Sequence, residues 1–213
     1  MSADWLEDTR TSYDTVAASY TELVRDRLAE LPHLLSALAA FAELVRSDGG
    51  GPVADVGCGP GHVSAHLRGL GVDVMGVDLS PAMIEIARAE HPGVRFEVGS
   101  MTELDLADGS LAGVLAWWSL IHVPDDSVPG VFEGFRRVLR PGGRVLLGFH
   151  LGEESRHKTE GYGGHPMNLM VHRRTPARVA EWLREAGFAV EAETVLDRDG
   201  EHPGCILFAR APG

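Results

Sequence analysis

The stretch that decides the fold is Val53-Ala54-Asp55-Val56-Gly57-Cys58-Gly59-Pro60-Gly61. Its first residues predict a short strand, and glycines at alternate positions then allow a tight turn that brings backbone close to a ligand. A helix that begins after such a turn presents free N–H groups to an anionic or polar ligand group. The stretch therefore predicts a strand, a ligand-binding turn and a helix in succession.

A second acidic residue strengthens this interpretation. The apolar run from Val74 to Val77 ends in Asp78, and a carboxylate at a strand tip can accept bonds from both hydroxyls of a ribose. His62 stands where the dinucleotide fingerprint has its last glycine. Together, the glycine turn and the acid favour a nucleoside-containing ligand that is not a dinucleotide.

The composition limits the class of protein that this chain can be. The chain has 213 residues, 44% of them hydrophobic and 23% charged, which is typical of one soluble globular domain. The net charge of −12 opposes phosphate backbones and anionic membranes, so we expect neither a nucleic-acid nor a membrane partner. No apolar run is long enough to span a bilayer, and the acidic N-terminus has no signal-peptide layout. We therefore expect a cytoplasmic protein, monomeric or homodimeric, with both cysteines reduced.

Hydrophobic periodicity divides the chain into a cap and a body. Residues 1–47 show helical spacing, and a Gly-rich turn at 48–52 separates them from a body at 48–213, in which strands alternate with helices. Such alternation predicts a parallel sheet, and the short turn near 197–200 predicts an antiparallel pair at the end. Residues 151–174 are polar, Gly-rich and without a clear period. We interpret them as a substrate-facing lid inserted in a single domain.

Five motifs in this order and spacing resemble the class I S-adenosylmethionine-dependent methyltransferases. The resemblance covers the chain from about Tyr13 to the C-terminus. It implies a Rossmann-like, seven-stranded, mostly parallel sheet with helices on both faces, and S-adenosyl-L-methionine as the cofactor. The motifs are Asp55–Gly61, Gly76–Ser80, Gly99–Met101, Ser119–Pro124 and Leu139–Gly143.

The resemblance also implies which residues bind the cofactor. Asp55 would hold its ammonium group, Asp78 its ribose, and Ser100 its adenine, although aspartate is common in the family where Ser100 stands. Strand alternation would send Trp117 and Trp118 to opposite faces of the sheet, with one of them near the cofactor. The full predicted set is Tyr13, Tyr20, Asp55, Gly57, Gly59, Gly61, Asp78, Leu79, Met83, Ser100, Met101 and Trp117.

Histidines supply the candidate catalytic bases. His122 and His150 follow predicted strands at the ligand edge, and His165 lies in the predicted lid. Each could accept a proton from an oxygen or nitrogen nucleophile near neutral pH, but for each one alone the sequence favours a structural role over a catalytic one. Their spacing does not indicate a metal site.

The sequence thus predicts an enzyme that methylates a small molecule at oxygen or nitrogen by in-line displacement. Two alternatives remain open at this point. One is an NAD(P)-dependent oxidoreductase, which shares a glycine loop and an acid on the second strand. The other is a non-catalytic protein that binds S-adenosylmethionine.

Overall fold

The structure is a computed structural model that describes residues 4–213. Helices α1 and α2 come first, joined by a short 3-10 turn, and strands and helices then alternate from β1 to β3, after which several strands follow one another directly. The elements are α1 Asp4–Val24, the 3-10 turn Arg27–Glu30, α2 Pro32–Ser47, β1 Val53–Val56, α3 His62–Gly69, β2 Val74–Asp78, α4 Pro81–Glu90, β3 Arg95–Val98, β4 Leu111–Trp117, a 3-10 turn Leu120–His122, α5 Val128–Val138, β5 Leu139–His150, β6 Arg156–Gly161, β7 His165–Val171, α6 Pro176–Glu185, β8 Ala189–Leu196 and β9 Gly204–Arg210.

Seven strands form one sheet in the order β3-β2-β1-β4-β5-β9-β8. The first five are parallel, and β9 runs antiparallel to both β5 and β8. Because β1 and β2 are parallel neighbours, their carboxyl ends meet at one edge, where the Gly57 N–H donates to the Val77 carbonyl at 2.7 Å. The predicted seven-stranded, mostly parallel sheet with an antiparallel C-terminal pair is confirmed.

Helices cover both faces of the sheet, as predicted. One core packs α5 and α6 against the sheet through large buried residues such as Phe132 and Trp182. The other packs α2, α3 and α4 against the opposite face, with Phe41 and Leu67 at its centre. Ser80 caps α4 by accepting a bond from the Met83 N–H at 3.1 Å, as Ser80-Pro81 predicts. None of the helices among residues 4–213 combines the length and apolar content that a bilayer crossing needs.

Residues 151–174 contain an antiparallel hairpin, which the sequence analysis did not predict. Strands β6 and β7 pair from Arg156 to Val171, and both Met167 and Leu169 are buried at alternate positions of β7. These two side chains pack against Val16 of α1, and Ser12 of α1 accepts a bond from the Asn168 N–H at 2.8 Å. The hairpin is therefore fastened to the first helix.

Candidate functional site

Two clefts open at the carboxyl ends of the central strands. The loop cleft, with an empty volume of about 700 Å³, runs from the glycine loop at 57–61 past Asp78 to Met101. The leucine cleft, of about 2070 Å³ and open to solvent, continues from Asp55 beneath the end of α1 and the first 3-10 turn to the β8–β9 loop. The clefts share one wall, formed by Tyr13, Tyr20, Gly57, Gly59, Trp117 and Trp118.

The three glycines of the loop differ in what a side chain at each position would contact. A Cβ at Gly57, where φ is 77°, would overlap the side chain of Ser119. A Cβ at Gly61, where φ is 82°, would lie 2.6 Å from the Phe96 ring. At Gly59, where φ is 54°, the nearest atom to such a Cβ would be in the Tyr20 ring, 3.7 Å away. Protein packing thus requires Gly57 and Gly61, whereas Gly59 leaves bare backbone facing the cleft.

Asp78 joins the glycine loop to α4. Its Oδ2 accepts a bond from the Gly59 N–H at 2.7 Å, and its Oδ1 accepts one from the Ser80 N–H at 2.9 Å. Burial raises the pKa of Asp78, and the two backbone N–H groups oppose that rise. Each carboxylate oxygen has a further lone pair, so a half-buried Asp78 at the cleft wall can also accept bonds from ligand hydroxyls.

Asp55 is a buried carboxyl with one unsatisfied oxygen. It is only 1% exposed, and its Oδ2 accepts a bond from the Ser64 hydroxyl at 2.6 Å. Its Oδ1 is buried and has no hydrogen-bond partner among the described residues. Burial, assisted by the nearby charge of Asp78, raises the pKa of Asp55 to about 7, and the bonds to Ser64 oppose that rise. Such a group is stabilised by a cationic ligand group placed against it.

The residues that follow β2 and β3 form the far end of the loop cleft. Leu79, Ser100 and Met101, three of the residues predicted to bind the cofactor, line this cleft. The Ser100 hydroxyl, however, is 2.7 Å from the Thr102 hydroxyl and accepts a bond from the Thr102 N–H at 3.2 Å, so it serves a local turn. Met83 lies in the core at 1% exposure, because it is the third residue of α4 and faces the sheet.

Both tryptophans line the two clefts, so the prediction of opposite faces is wrong. Trp117 ends β4, and Trp118 has a left-handed backbone with φ of 52°, which breaks strand alternation. The two rings meet edge to face with centroids 4.9 Å apart. A Cβ on Gly148 would be 2.5 Å from the Trp118 ring, so glycine at that position of β5 makes room for the indole.

The half-buried Tyr13 and the buried His122 form a hydrogen-bonded pair. His122 Nδ1 is 2.9 Å from the Met170 carbonyl, which can only accept, so Nδ1 carries the proton. Burial lowers the pKa of His122 to about 4, so the ring is neutral near pH 7 and its Nε2 is an acceptor. The Tyr13 hydroxyl, 2.8 Å away, therefore donates to Nε2 and keeps its own lone pairs for another group.

A cluster of tyrosines links this pair to the hairpin. Tyr20 meets Tyr13 edge to face at a centroid distance of 5.9 Å, and meets Tyr162 in the same way at 4.8 Å. Lys158 of β6 places its Nζ 3.7 Å from the centre of the Tyr162 ring. Burial raises the pKa of both Tyr13 and Tyr20, so these phenols stay protonated at neutral pH. The hairpin turn therefore contacts the wall that the two clefts share.

The other candidate bases differ in position. His150 lines the leucine cleft, and burial lowers its pKa to about 4. His165 is exposed at the start of β7 and is not among the residues that line either cleft. In the described part of the chain, no group of His, Cys, Asp and Glu side chains is arranged to hold a metal ion.

The residues of the site that sequence reasoning missed include Trp118 as a second cleft indole, Tyr162 of the hairpin turn, and Ser119. Ser119 lines the loop cleft and donates from its hydroxyl to the Val56 carbonyl at 2.6 Å. Its position inside the motif Ser119–Pro124 was the available signal. For Tyr162, the Tyr-Gly-Gly sequence at 162–164 indicates a turn but does not show what the turn contacts.

The fold and the glycine loop define a Rossmann-like protein with a site for a nucleoside-containing ligand. A family model described as a methyltransferase domain matches residues 53–143. The fold, this match and the relatives described below support a class I S-adenosylmethionine-dependent methyltransferase.

Individual relatives fit this assignment. The chain is 32% identical over 158 residues to a ubiquinone biosynthesis O-methyltransferase of Xanthomonas axonopodis pv. citri, an alignment that covers 67% of the chain and 64% of that protein. It is 36% identical over 106 residues to N-demethylindolmycin N-methyltransferase of Streptomyces griseus, covering 47% of the chain and 45% of that protein. The chain thus spans less than two thirds of the length of these relatives.

A solved structure shares the fold over the whole chain. The 1,6-didemethyltoxoflavin-N1-methyltransferase of Burkholderia thailandensis, solved with 1,6-didemethyltoxoflavin and S-adenosylhomocysteine, matches with a TM-score of 0.74. The match covers 100% of this chain and 92% of that one at 20% identity. At this identity the likeness concerns the fold.

Proposed function

We propose that the protein transfers a methyl group from S-adenosylmethionine to a small-molecule acceptor. The proposal rests on one observation: the bare Gly59 backbone lines both clefts, and a carboxyl group lies in each of them. Asp78 lies in the loop cleft, and Asp55 lies where the leucine cleft begins. A ligand with a ribose at one end and an ammonium group at the other matches these groups.

The residues present fit this cofactor. Asp78 would accept from its ribose hydroxyls, and the unsatisfied Oδ1 of Asp55 would accept from its ammonium group. Leu79 and Met101 offer apolar surface for its adenine in the loop cleft. When bound, S-adenosylmethionine supplies a methyl group on a positively charged sulfur, which leaves as a neutral thioether.

The protein's own contribution is to orient the acceptor and to exclude water. The shared wall carries Trp117, Trp118 and Tyr20, whose large faces can position an acceptor against the cofactor. The hairpin, held to α1 by the cluster of Val16, Met167 and Leu169, would cover this region as the lid. A dry, preorganised cleft is the main requirement for methyl transfer from a sulfonium.

The Tyr13–His122 pair provides a route for the acceptor's proton. Because the Tyr13 proton already points at His122 Nε2, the Tyr13 oxygen can accept a proton from the acceptor as its own proton passes to Nε2. The bond from Nδ1 to the Met170 carbonyl holds the imidazole in place during this transfer. His150, in the leucine cleft, is a second candidate base. An acceptor oxygen or nitrogen fits this chemistry, and named relatives methylate one or the other.

Calorimetric titration with S-adenosylmethionine, S-adenosylhomocysteine and NADPH tests the cofactor. We expect both adenosyl compounds to bind and NADPH to bind at least about 100-fold more weakly. Preferred binding of NADPH would overturn the proposal in favour of an oxidoreductase. A panel of small metabolites with isotopically labelled S-adenosylmethionine then tests transfer. Binding without transfer to any member would favour the non-catalytic alternative.

Variants of the pair test the proton route once an acceptor is known. We expect Tyr13→Phe and His122→Asn each to lower kcat by about 100-fold, the usual size of general-base catalysis, with S-adenosylmethionine affinity nearly unchanged. The loss should shrink at high pH, where the acceptor ionises unaided. The matched control is His157→Asn, which changes an exposed histidine of the hairpin that lines neither the loop cleft nor the leucine cleft. A pH-independent loss in kcat would make Tyr13 and His122 structural.

A further inference from the structure

The leucine cleft exposes an unusual amount of apolar surface at its mouth. Leu23 at the end of α1 is 50% exposed, and Leu31 just after the first 3-10 turn is 37% exposed. They are two of the four large hydrophobic side chains found exposed in the described part of the chain. Both line the leucine cleft, together with the half-buried Leu28, Leu34 and Leu196. Apolar surface gathered in one concave region marks a site for an apolar ligand.

Arg27 stands among these leucines without an ion pair. It lies in the first 3-10 turn, lines the cleft, and makes no ion pair with any carboxylate of residues 4–213. Asp26 and Glu30 are close to it in sequence but do not line the cleft. Its charge reaches the shared wall, where it opposes the rise in the pKa of Tyr20. In a chain of net charge −12, an unpaired cation at the mouth of a cleft is available for an anion.

Within residues 4–213, the carboxylates that line the cleft, Asp55 and Asp197, form no ion pair with Arg27. Asp197 closes its own turn, since its Oδ2 accepts a bond from the His202 N–H at 3.2 Å and its carbonyl accepts one from Gly200. Asp55 lies at the other end of the cleft, beside the glycine loop. The mouth therefore combines apolar side chains with the Arg27 guanidinium, and the Asp197 carboxylate in the same cleft accepts a hydrogen bond within its own turn.

On the basis of the function proposed above, we propose that the methyl acceptor is an apolar molecule bearing one acidic group, which Arg27 binds at the mouth of the leucine cleft. The leucines of the cleft bury the apolar body of the acceptor. The reacting oxygen or nitrogen lies at the opposite end, towards Tyr13 and the shared wall. A carboxylate and a phosphate would both satisfy the guanidinium, and carboxylates are the probe used below.

The experiment measures binding of matched acid and amide probes. The protein is saturated with S-adenosylhomocysteine and titrated with benzoate, 2-naphthoate and octanoate, and with the neutral amide of each. We expect at least one carboxylate to bind about 5-fold or more tightly than its amide, as one partly exposed ion pair allows. In the Arg27→Gln variant, the affinity for the carboxylate should fall to the affinity for its amide.

Two further variants control for charge and for apolar contact. Arg25→Gln removes a neighbouring positive charge that pairs with Glu90 at 2.6 Å and does not line the cleft, so the preference for the carboxylate should persist. Leu31→Ser should weaken the acid and the amide by the same factor, since it removes only apolar contact.

The outcomes separate this inference from the proposed function. If S-adenosylhomocysteine binds but no carboxylate binds better than its amide, the acceptor class is wrong and the methyltransferase proposal stands. The same holds if Arg25→Gln abolishes the preference as fully as Arg27→Gln, because the effect would then be one of overall charge. If S-adenosylhomocysteine does not bind, the proposed function fails and this inference fails with it.

Discussion

The loop cleft and the leucine cleft share a wall but are assembled from different parts of the chain. The groups of the loop cleft that we expect to contact the cofactor, Gly59 and Asp78, come from the turns after two adjacent parallel strands and are close in sequence, although α1 and the end of β4 also line this cleft. The leucine cleft collects the end of α1, the 3-10 turn at Arg27–Glu30, His150 and the β8–β9 loop. A local motif can therefore encode Gly59 and Asp78, whereas the leucine cleft exists only after folding.

The two clefts also differ in how tightly their residues are constrained. Around the loop cleft, backbone N–H groups bind Asp78, and Gly57 and Gly61 have no space for a Cβ. Around the mouth of the leucine cleft, Leu23, Leu31 and Arg27 are exposed side chains whose replacement disturbs little packing. Substitutions should thus be costly to cofactor binding in the first region and should change acceptor choice in the second.

The largest effect that would test this contrast is at Gly59. We expect Gly59→Val to weaken S-adenosylmethionine binding by about 100-fold or more, because the branched side chain would occupy the cleft. The matched control is Gly109→Val, which imposes similar backbone strain at φ of 64° with no atom within 4 Å of the Cβ. Calorimetry measures the affinity of both variants for S-adenosylmethionine, and circular dichroism verifies that both are folded. Equal affinity in the two variants would place the cofactor outside the loop cleft.

A smaller loss is expected when Asp78 loses its charge. Asp78→Asn should weaken S-adenosylmethionine binding by about 10-fold or more, the value of a lost charge-assisted hydrogen bond. Asp73→Asn changes an exposed aspartate just before the opposite end of β2 and should leave the affinity unchanged. If the Asp78 variant binds as well as the parent protein, Asp78 holds only the glycine loop.

The raised pKa of Asp55 predicts that the free energy of unfolding and the affinity for S-adenosylmethionine change in opposite directions with pH. Since its folded pKa of about 7 exceeds the ordinary value, Asp55 binds a proton more tightly in the folded protein than in the unfolded chain. Its contribution to the free energy of unfolding is fully present below about pH 4 and is lost as the pH rises through about 7, by roughly 2–4 kcal/mol. Denaturant titrations of the ligand-free protein and of Asp55→Asn at pH 5 and pH 8 measure this difference.

Binding should follow the reverse trend, because the ammonium group requires ionised Asp55. We expect S-adenosylmethionine affinity to rise by up to about 30-fold from pH 5.5 to pH 8 in the parent protein. The rise should be absent from Asp55→Asn, which also corrects for titration of the ligand itself. A rise of the same size in the variant would exclude Asp55 as the titrating group.

The smallest effect is predicted at Ser100, which sharpens the contrast within the loop cleft itself. Its hydroxyl is engaged with Thr102, so Ser100→Ala should change S-adenosylmethionine affinity by less than about 3-fold. Calorimetry under the conditions used for Asp78→Asn gives the comparison. A loss as large as that of Asp78→Asn would show that the hydroxyl turns towards the ligand when it binds.

Sequence patterns missed features that depend on contacts between distant segments. The alternation of Met167, Leu169 and Val171 is the signature of a strand, but it is short and becomes meaningful only because α1 covers that face. The left-handed backbone of Trp118 is rare for a bulky residue, so alternation was the reasonable expectation. That conformation is compatible with the fold because Gly148, on the neighbouring strand, leaves space for the ring.

The sequence by itself determined the α/β sheet, the glycine loop and Asp78, because strand periodicity, turn glycines and helix caps act over a few neighbouring residues. It could not decide that Tyr13 donates to His122, that the hairpin turn reaches Tyr20, or that Arg27 stands unpaired among exposed leucines. These relations join residues far apart in the chain. Their geometry is set by how α1, the hairpin and the sheet pack together, and only the tertiary structure decides that.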